Sequence, residues 1–233
     1  LNSNNKNYFS QIIKYLRIRF YKIIIKLNIN KYFKIYSDNS LNNDLSFFSN
    51  NKFNNINLYG YWQNYEYFQN YFDQIKTKLI FKKKIKLKNH NIFKDYSNVI
   101  GVHVRGGDYR DAKNLKIFNQ TTREFYISSM NKFNLFLKKP IFIFFTDDYK
   151  FLNDLMLDIK FSHAFINDLF NNRDDDFQLL SQCDHFIIPN STFSLWAAYL
   201  SQSHNKFIIS PTTWLKKNEF NYKFLNYDWI KKL

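Results

Sequence analysis

The run Val99-Ile100-Gly101-Val102-His103-Val104-Arg105-Gly106-Gly107-Asp108-Tyr109 ends an apolar segment in an imidazole, a guanidinium, two glycines and a carboxylate. A fixed guanidinium can make two charge-assisted hydrogen bonds to a phosphate or carboxylate. The glycine pair breaks the run with a turn that lets backbone approach a ligand. Residues 99–104 fit a buried parallel strand, and open α/β sheets bind ligands just past the carboxyl ends of such strands. The spacing of Arg105 and Asp108 also suits a structural ion pair, and spacing alone leaves both readings open.

Two more polar loops follow predicted strands. Thr146-Asp147-Asp148 comes after Ile141 to Phe145, and Asn190-Ser191-Thr192-Phe193-Ser194 comes after His185 to Ile188. In a parallel sheet all three loops converge on one edge. Ser191 or Thr192 would stand at a helix N-terminus, where backbone N–H groups and the positive dipole end suit a phosphate, or where the hydroxyl is an ordinary cap. Other chemistries drop out. Only four glycines are present, at 60, 101, 106 and 107, so neither GxGxxG nor a P-loop exists. No two histidines have metal-ligand spacing and there is no Cys-x-x-Cys. Asp147-Asp148 and Asp174-Asp175-Asp176 are clustered carboxylates of the kind that bind Mg²⁺. The second run precedes a predicted helix, whose positive end favours acids, so no metal is expected.

The elements that must hold these loops alternate. Strands are predicted at Val99 to Val104, Ile141 to Phe145, Ser162 to Ile166, His185 to Ile188 and Lys206 to Ile209. Between the first two, Thr121 and Glu124 are spaced as a capping box, and Tyr126, Met130, Phe133 and Leu137 share one helix face. Further helices fit Tyr149 to Leu157, Asp176 to Cys183 and Thr192 to Ser201. This alternation predicts an α/β fold, a parallel sheet covered on both faces in a Rossmann-like domain. Residues 1–57 hold helical stretches and an Asn/Ser-rich connection, Ser37 to Asn57. Phe68, Phe72, Ile75 and Leu79 mark one face of another helix, and Lys82 to Asp95 reads as a basic linker. A domain boundary is expected near residue 96, separating 1–96 from 97–233.

The 233 residues suffice for a substantial core, and 45% hydrophobic with 21% aromatic residues is not a disordered composition. The formal net charge of +15 invites a phosphate polymer as partner. Lys, Asn, Ile, Phe and Tyr are enriched together, however, as AT-rich codons would produce, and the lysines are dispersed with no nucleic-acid motif beside them. No nucleic-acid partner is expected, while an anionic bilayer or nucleotide sugar still feels the charge. The single cysteine, Cys183, is expected to be a buried thiol. No apolar run reaches the ~20 residues of a membrane span and no secretory pattern opens the chain. The expected location is cytoplasmic. The basic segment Phe9 to Ile29 suits either a packed helix with a solvated face or peripheral contact with the inner face of a membrane. The chain starts at Leu1 and is expected to be a fragment.

Taken in order, these motifs resemble the bacterial and animal α-1,2-fucosyltransferases, glycosyltransferase family 11. His103-Val104-Arg105-Gly106-Gly107-Asp108-Tyr109 is similar to the family's His-x-Arg-Arg-Gly-Asp-Tyr, and Gly60-Tyr61-Trp62-Gln63 with Tyr67-Phe68 to an upstream family segment. Phe144-Phe145-Thr146-Asp147-Asp148 resembles its Phe-Ser/Thr-Asp-Asp. The longest likeness runs from Asp176 through His185 and from Asn190 through Ala198. Pro211-Thr212-Thr213-Trp214 and Asp228-Trp229-Ile230 resemble the family's C-terminus. The family's opening Gly-Gly-Leu-Gly-Asn-Gln-Met-Phe-Gln has no counterpart, and Gly106 stands where a second arginine is usual.

The resemblance implies a GT-B-like architecture, with a GDP-fucose-binding Rossmann-like domain in the C-terminal half and a partial, acceptor-side N-terminal domain. It implies inverting transfer of L-fucose from GDP-β-L-fucose to the 2-hydroxyl of a terminal galactose on a glycan, in surface polysaccharide synthesis, with no metal cofactor. Arg105 would stabilise the diphosphate charge and Asp108 is the nearest candidate for a base. His103, Asp147, Asn190, Ser191, Thr192, Phe193 and Ser194 would bind the donor. Arg105→Ala is expected to abolish transfer, and Gly106→Arg to raise GDP affinity unless Arg110 or a lysine already substitutes for the missing arginine. Two other readings stand: an inactive nucleotide-sugar-binding remnant, and a basic module for nucleic acid or anionic lipid.

Overall fold

A computed structural model of the chain describes residues 20, 35–37, 57–59, 69–79, 81, 85–170, 172–216 and 230–232. Its contacts divide between Asn70 and Tyr71 into two units. In the first, β1 (Ile35–Ser37) and β2 (Asn57–Tyr59) pair in parallel, with Ile35 opposite Asn57. Neither strand was expected, because the sequence marks Ser37 to Asn57 only as a polar connection. Residues 60–68 and, apart from the helical Phe20, the basic stretch 9–29 lie outside the described residues.

The second unit begins at Tyr71. Residues 85–95, expected to be a linker, form 3₁₀ turns at Leu87–Asn89 and Asn91–Asp95 that bury Leu87 and Phe93. The Gln182 side chain holds them from both ends, accepting from Leu87 N at 2.9 Å and donating to Ile85 O at 2.7 Å, and Lys88 pairs with Asp184 at 2.6 Å. Basic residues disguise this packing in the sequence, because their charged ends reach water over two buried apolar anchors. Ahead of them, α1 (Phe72–Lys78) buries no residue fully, and Leu79 of its expected apolar face is exposed. Phe68 of that face lies outside the described residues.

Six parallel strands make the central sheet: β3 (Asn98–Val104), β4 (Pro140–Thr146), β5 (His163–Phe165), β6 (His185–Ile187), β7 (Ile208–Ser210) and β8 (Ile230–Lys232). They lie in the order β5-β4-β3-β6-β7-β8. Counted from β3, this is 3-2-1-4-5-6, the doubly wound order whose ligand crevice opens where the winding reverses, between β3 and β6. Five of the strands answer the sequence expectations with shifted ends, and β8 was not anticipated. Ile166, expected in a strand, instead starts the short α4 (Ile166–Leu169).

Both faces of β3 are covered, which explains its unbroken apolar run. On one face Ile100, Val102 and Val104 join Phe142, Phe144, Ile187 and Ile209 against Tyr126, Met130 and Phe133 of α2 (Arg123–Phe136). Leu152 of α3 (Tyr149–Leu155) and Met156 complete that layer. Each fully buried side chain of this size contributes about 1.5–3 kcal/mol. The other face meets α5 (Asp176–Leu180) and α6 (Thr192–Leu200), with Leu180 and Cys183 over Gly101 and the Phe193 ring beside His103. Cys183 is a buried thiol, and burial pushes its pKa up. The helix start at α2 is one residue later than the capping box implies. Thr122, not Thr121, is the cap and accepts from Phe125 N at 3.4 Å.

Candidate functional site

Three loops close over the carboxyl edge of β3, β4 and β6, and each touches another. Arg105 leaves the end of β3 and reaches two carboxylates: Nη2 pairs with Asp108 Oδ1 at 2.5 Å and Nη1 with Asp147 Oδ2. The Gly106 N–H donates to Asp147 Oδ1 at 2.9 Å. Asp147 thus clasps the first loop from the second through a backbone amide and a guanidinium at once. One of its oxygens orients Arg105 and the other holds the Gly106 amide. The third loop joins through Tyr109, whose hydroxyl donates to Asn190 O at 3.1 Å, and through His103 and Phe193, ring centroids 5.3 Å apart.

The glycine pair is needed for this clasp. A Cβ on Gly106 would lie 2.6 Å from Asp148 Cβ and 3.0 Å from the Phe151 ring. Gly107 has φ +27°, and a Cβ there would stand 2.5 Å from Asp147 Oδ2. The first loop therefore sits against the second so closely that side chains at these positions cost clashes or strain. The expectation that Gly106→Arg tightens donor binding meets this obstacle: no side chain fits without displacing Asp148.

His103 is 3% exposed and its Nδ1 has no hydrogen-bond partner. Burial, with the Arg105 charge adding to it, holds its pKa down to about 3. The ring is therefore neutral at physiological pH, with a buried nitrogen available beside the first turn of α6. A buried polar atom left unpaired is costly, and such atoms in folded proteins call for a functional account. Tyr126 fixes the backbone just behind it, donating its hydroxyl to His103 O at 3.1 Å.

The Asn190 to Ser194 segment divides by role. Asn190 is buried and its Nδ2 donates to Asn119 O at 2.6 Å and Trp214 O at 2.9 Å, so it ties the third loop to two distant segments. Ser194 is fully buried and its hydroxyl turns back to Ser191 O at 3.2 Å. These two shape the loop. Ser191 precedes α6 without a side-chain cap, leaving the N–H groups of the first turn to other acceptors. Thr192 is half-buried and Phe193 is 39% exposed, at the surface of the edge. The geometry gathers His103, Arg105, Asp108, Asp147, Thr192 and Phe193 at one place, with Ser191 immediately behind.

Sequence reasoning missed the supporting layer. Asn119 donates to Thr213 Oγ1 at 2.9 Å and Leu215 O at 3.2 Å, and Phe118 pairs with Leu215 as an antiparallel bridge. Tyr109 stacks on Phe118 at 4.5 Å, and Asn114 donates to Asp108 O at 2.7 Å. Nothing in the spacing of Asn114 or Asn119 marks them; the Pro211 to Trp214 motif was the one available signal. The seat of Arg110, named from the sequence only as a possible substitute for the missing arginine, was not foreseen: it bonds Asp148 Oδ2 at 3.3 Å and lies over the Phe151 ring, 4.7 Å from its centroid. Asp174 and Asp175 form the turn before α5 and Asp176 opens that helix, the helix-start placement expected of them.

A concavity lies at the opposite, amino edge of the sheet. It is a cleft of about 810 Å³ bordered by Lys76, Lys86, Lys88 and Asp184. It holds none of the candidate catalytic or donor-binding residues. No helix among the described residues is long and apolar enough to cross a membrane.

The sequence matches the family model described as glycosyl transferase family 11 over residues 7–231. It is 29% identical over 178 residues to the alpha-1,2-colitosyltransferase of Escherichia coli, covering 72% of this chain and 59% of that protein. It is 26% identical to the O-antigen biosynthesis glycosyltransferase WbnK of Escherichia coli, over 52% of this chain and 41% of that protein. With the Bos taurus galactoside alpha-(1,2)-fucosyltransferase 1 it shares 33% identity over 45% of this chain and 30% of the relative. The chain thus spans less than two thirds of the length of each of these relatives.

Proposed function

Because this chain belongs to glycosyl transferase family 11, we propose that the β3–β6 edge binds the diphosphate of GDP-β-L-fucose and that fucose passes to the 2-hydroxyl of a terminal galactose, with inversion. One observation supports this most: at the switch point of a doubly wound sheet, a guanidinium, an uncapped helix start and a neutral buried imidazole stand together. As the glycosidic bond breaks, negative charge grows on the departing phosphate, and a fixed guanidinium offers it two hydrogen bonds. Arg105 has both arms on carboxylates, so a phosphate arriving there exchanges with Asp108, which is 58% exposed and can swing out.

That exchange gives Asp108 a second role. Once freed from Arg105, its carboxylate is the candidate to take the proton of the attacking hydroxyl. Charge compensation rests on guanidiniums and amides rather than on a divalent ion. The oxygens of Asp147 and Asp148 are committed to Arg105, Gly106 N, Arg110 and Phe151 N. The second unit is the donor domain of a GT-B-like enzyme in this reading, and the acceptor glycan belongs to a surface polysaccharide. The relatives' printed names include both fucosyl and colitosyl transfer, so the donor sugar is tested directly.

The test is incubation with a galactose-terminated disaccharide and GDP-fucose or the corresponding colitosyl donor, with the product's mass and linkage read by NMR. A 2-linked fucosyl product with inverted anomeric configuration, unaffected by EDTA, is expected. GDP binding without transfer by either sugar points to the nucleotide-sugar-binding remnant. Failure to bind GDP at all contradicts the donor-site assignment.

A further inference from the structure

The carboxyl edge carries two guanidiniums and three carboxylates, and their engagement is unequal. Arg105 is held on both arms, by Asp108 and Asp147, and is 28% exposed. Arg110 is 49% exposed and makes one hydrogen bond, a long one of 3.3 Å, to Asp148 Oδ2. Its flat face rests on Phe151, 4.7 Å from the ring centroid, so the group is positioned without being consumed. The remaining N–H groups of its fork are available to an anion. The same two neighbours, Asp148 and Phe151, are those that a side chain on Gly106 would strike. A cation therefore reaches this corner from position 110 while position 106 is closed by packing.

Resting on the donor-site reading above, we propose that Arg110 is a second diphosphate-binding residue, which exchanges Asp148 for a phosphate oxygen when the nucleotide diphosphate binds. Phe151 serves as the platform on which the guanidinium pivots. Asp148 is the competitor that keeps the empty site neutral at this corner, and it also caps α3 by accepting from Phe151 N at 3.0 Å. An asparagine there keeps the cap oxygen and loses the charge.

Calorimetric titration of GDP and GMP into the wild type, Arg110→Ala, Arg110→Lys and Asp148→Asn tests this. Arg110→Ala is expected to weaken GDP by about tenfold or more, the scale of one charge-assisted hydrogen bond, and GMP by much less. Arg110→Lys should recover part of the loss. Asp148→Asn should bind GDP more tightly than the wild type, a gain that damage to the fold cannot imitate. Wild-type affinity for GDP in Arg110→Ala, or equal losses for GDP and GMP, overturns the assignment while leaving the donor site standing. A wild-type protein that binds neither nucleotide overturns the donor-site reading, and this assignment with it.

Discussion

In the proposed donor site, Arg105 stands at the centre of a small electrostatic exchange. Both its arms are satisfied by carboxylates before any ligand arrives, so binding replaces one set of charge-assisted bonds with another and the group is already aimed. Arg105→Ala is expected to lower turnover at least a hundredfold, measured as initial fucose transfer, because such donors act on charge that develops only in the transition state. Asp108→Asn separates base from ion-pair partner: a large loss of turnover with GDP affinity retained supports the base, and a near-native rate removes it. His103 carries a sign of its own. Its pKa falls from an ordinary 6.5 to about 3 on folding, so the unfolded chain binds more protons between those values and stability drops as pH falls through that window. Imidazole ¹⁵N shifts should show His103 neutral at pH 5; a protonated ring there would contradict its burial. The sequence displayed these three residues because they share one strand end. It did not display Asp147's grip on Gly106 or Arg110's seat on Phe151, which depend on how closely two loops pack.

At the level of elements, the glycine pair and Asn190 set the loops' separation. Gly106→Ala should destabilise the protein by about 1–3 kcal/mol, since its Cβ meets Asp148 in a packed corner, and chemical denaturation reads this. Asn190→Ala removes two donors and strands the carbonyls of Asn119 and Trp214, a loss of about 2–4 kcal/mol by the same measurement. Strand and helix identity in the second unit were legible because buried apolar runs and one-sided helices leave regular patterns. Boundaries were not. Thr122 displaced Thr121 as the cap of α2 because two adjacent threonines offer the same chemistry. Residues 85–95 hid their packing because Leu87 and Phe93 sit among lysines and asparagines, and their anchor, Gln182, lies some 95 residues away. The short β1, β2 and β8, three residues each, are too brief to show a period.

For the molecule as a whole, the order β5-β4-β3-β6-β7-β8 decides where chemistry can occur. It puts the strand-end motif of β3 next to the helix start after β6, two segments far apart in sequence, and leaves the lysine-bordered cleft on the opposite edge. The net charge of +15 therefore offers an anionic nucleotide two destinations. A backbone amide shift map recorded during GDP titration distinguishes them. Perturbations concentrated at residues 103–110, 146–148 and 190–194 are predicted. Perturbations centred on Lys76, Lys86 and Lys88, or no perturbation at saturating GDP, would contradict a donor site at the β3–β6 edge.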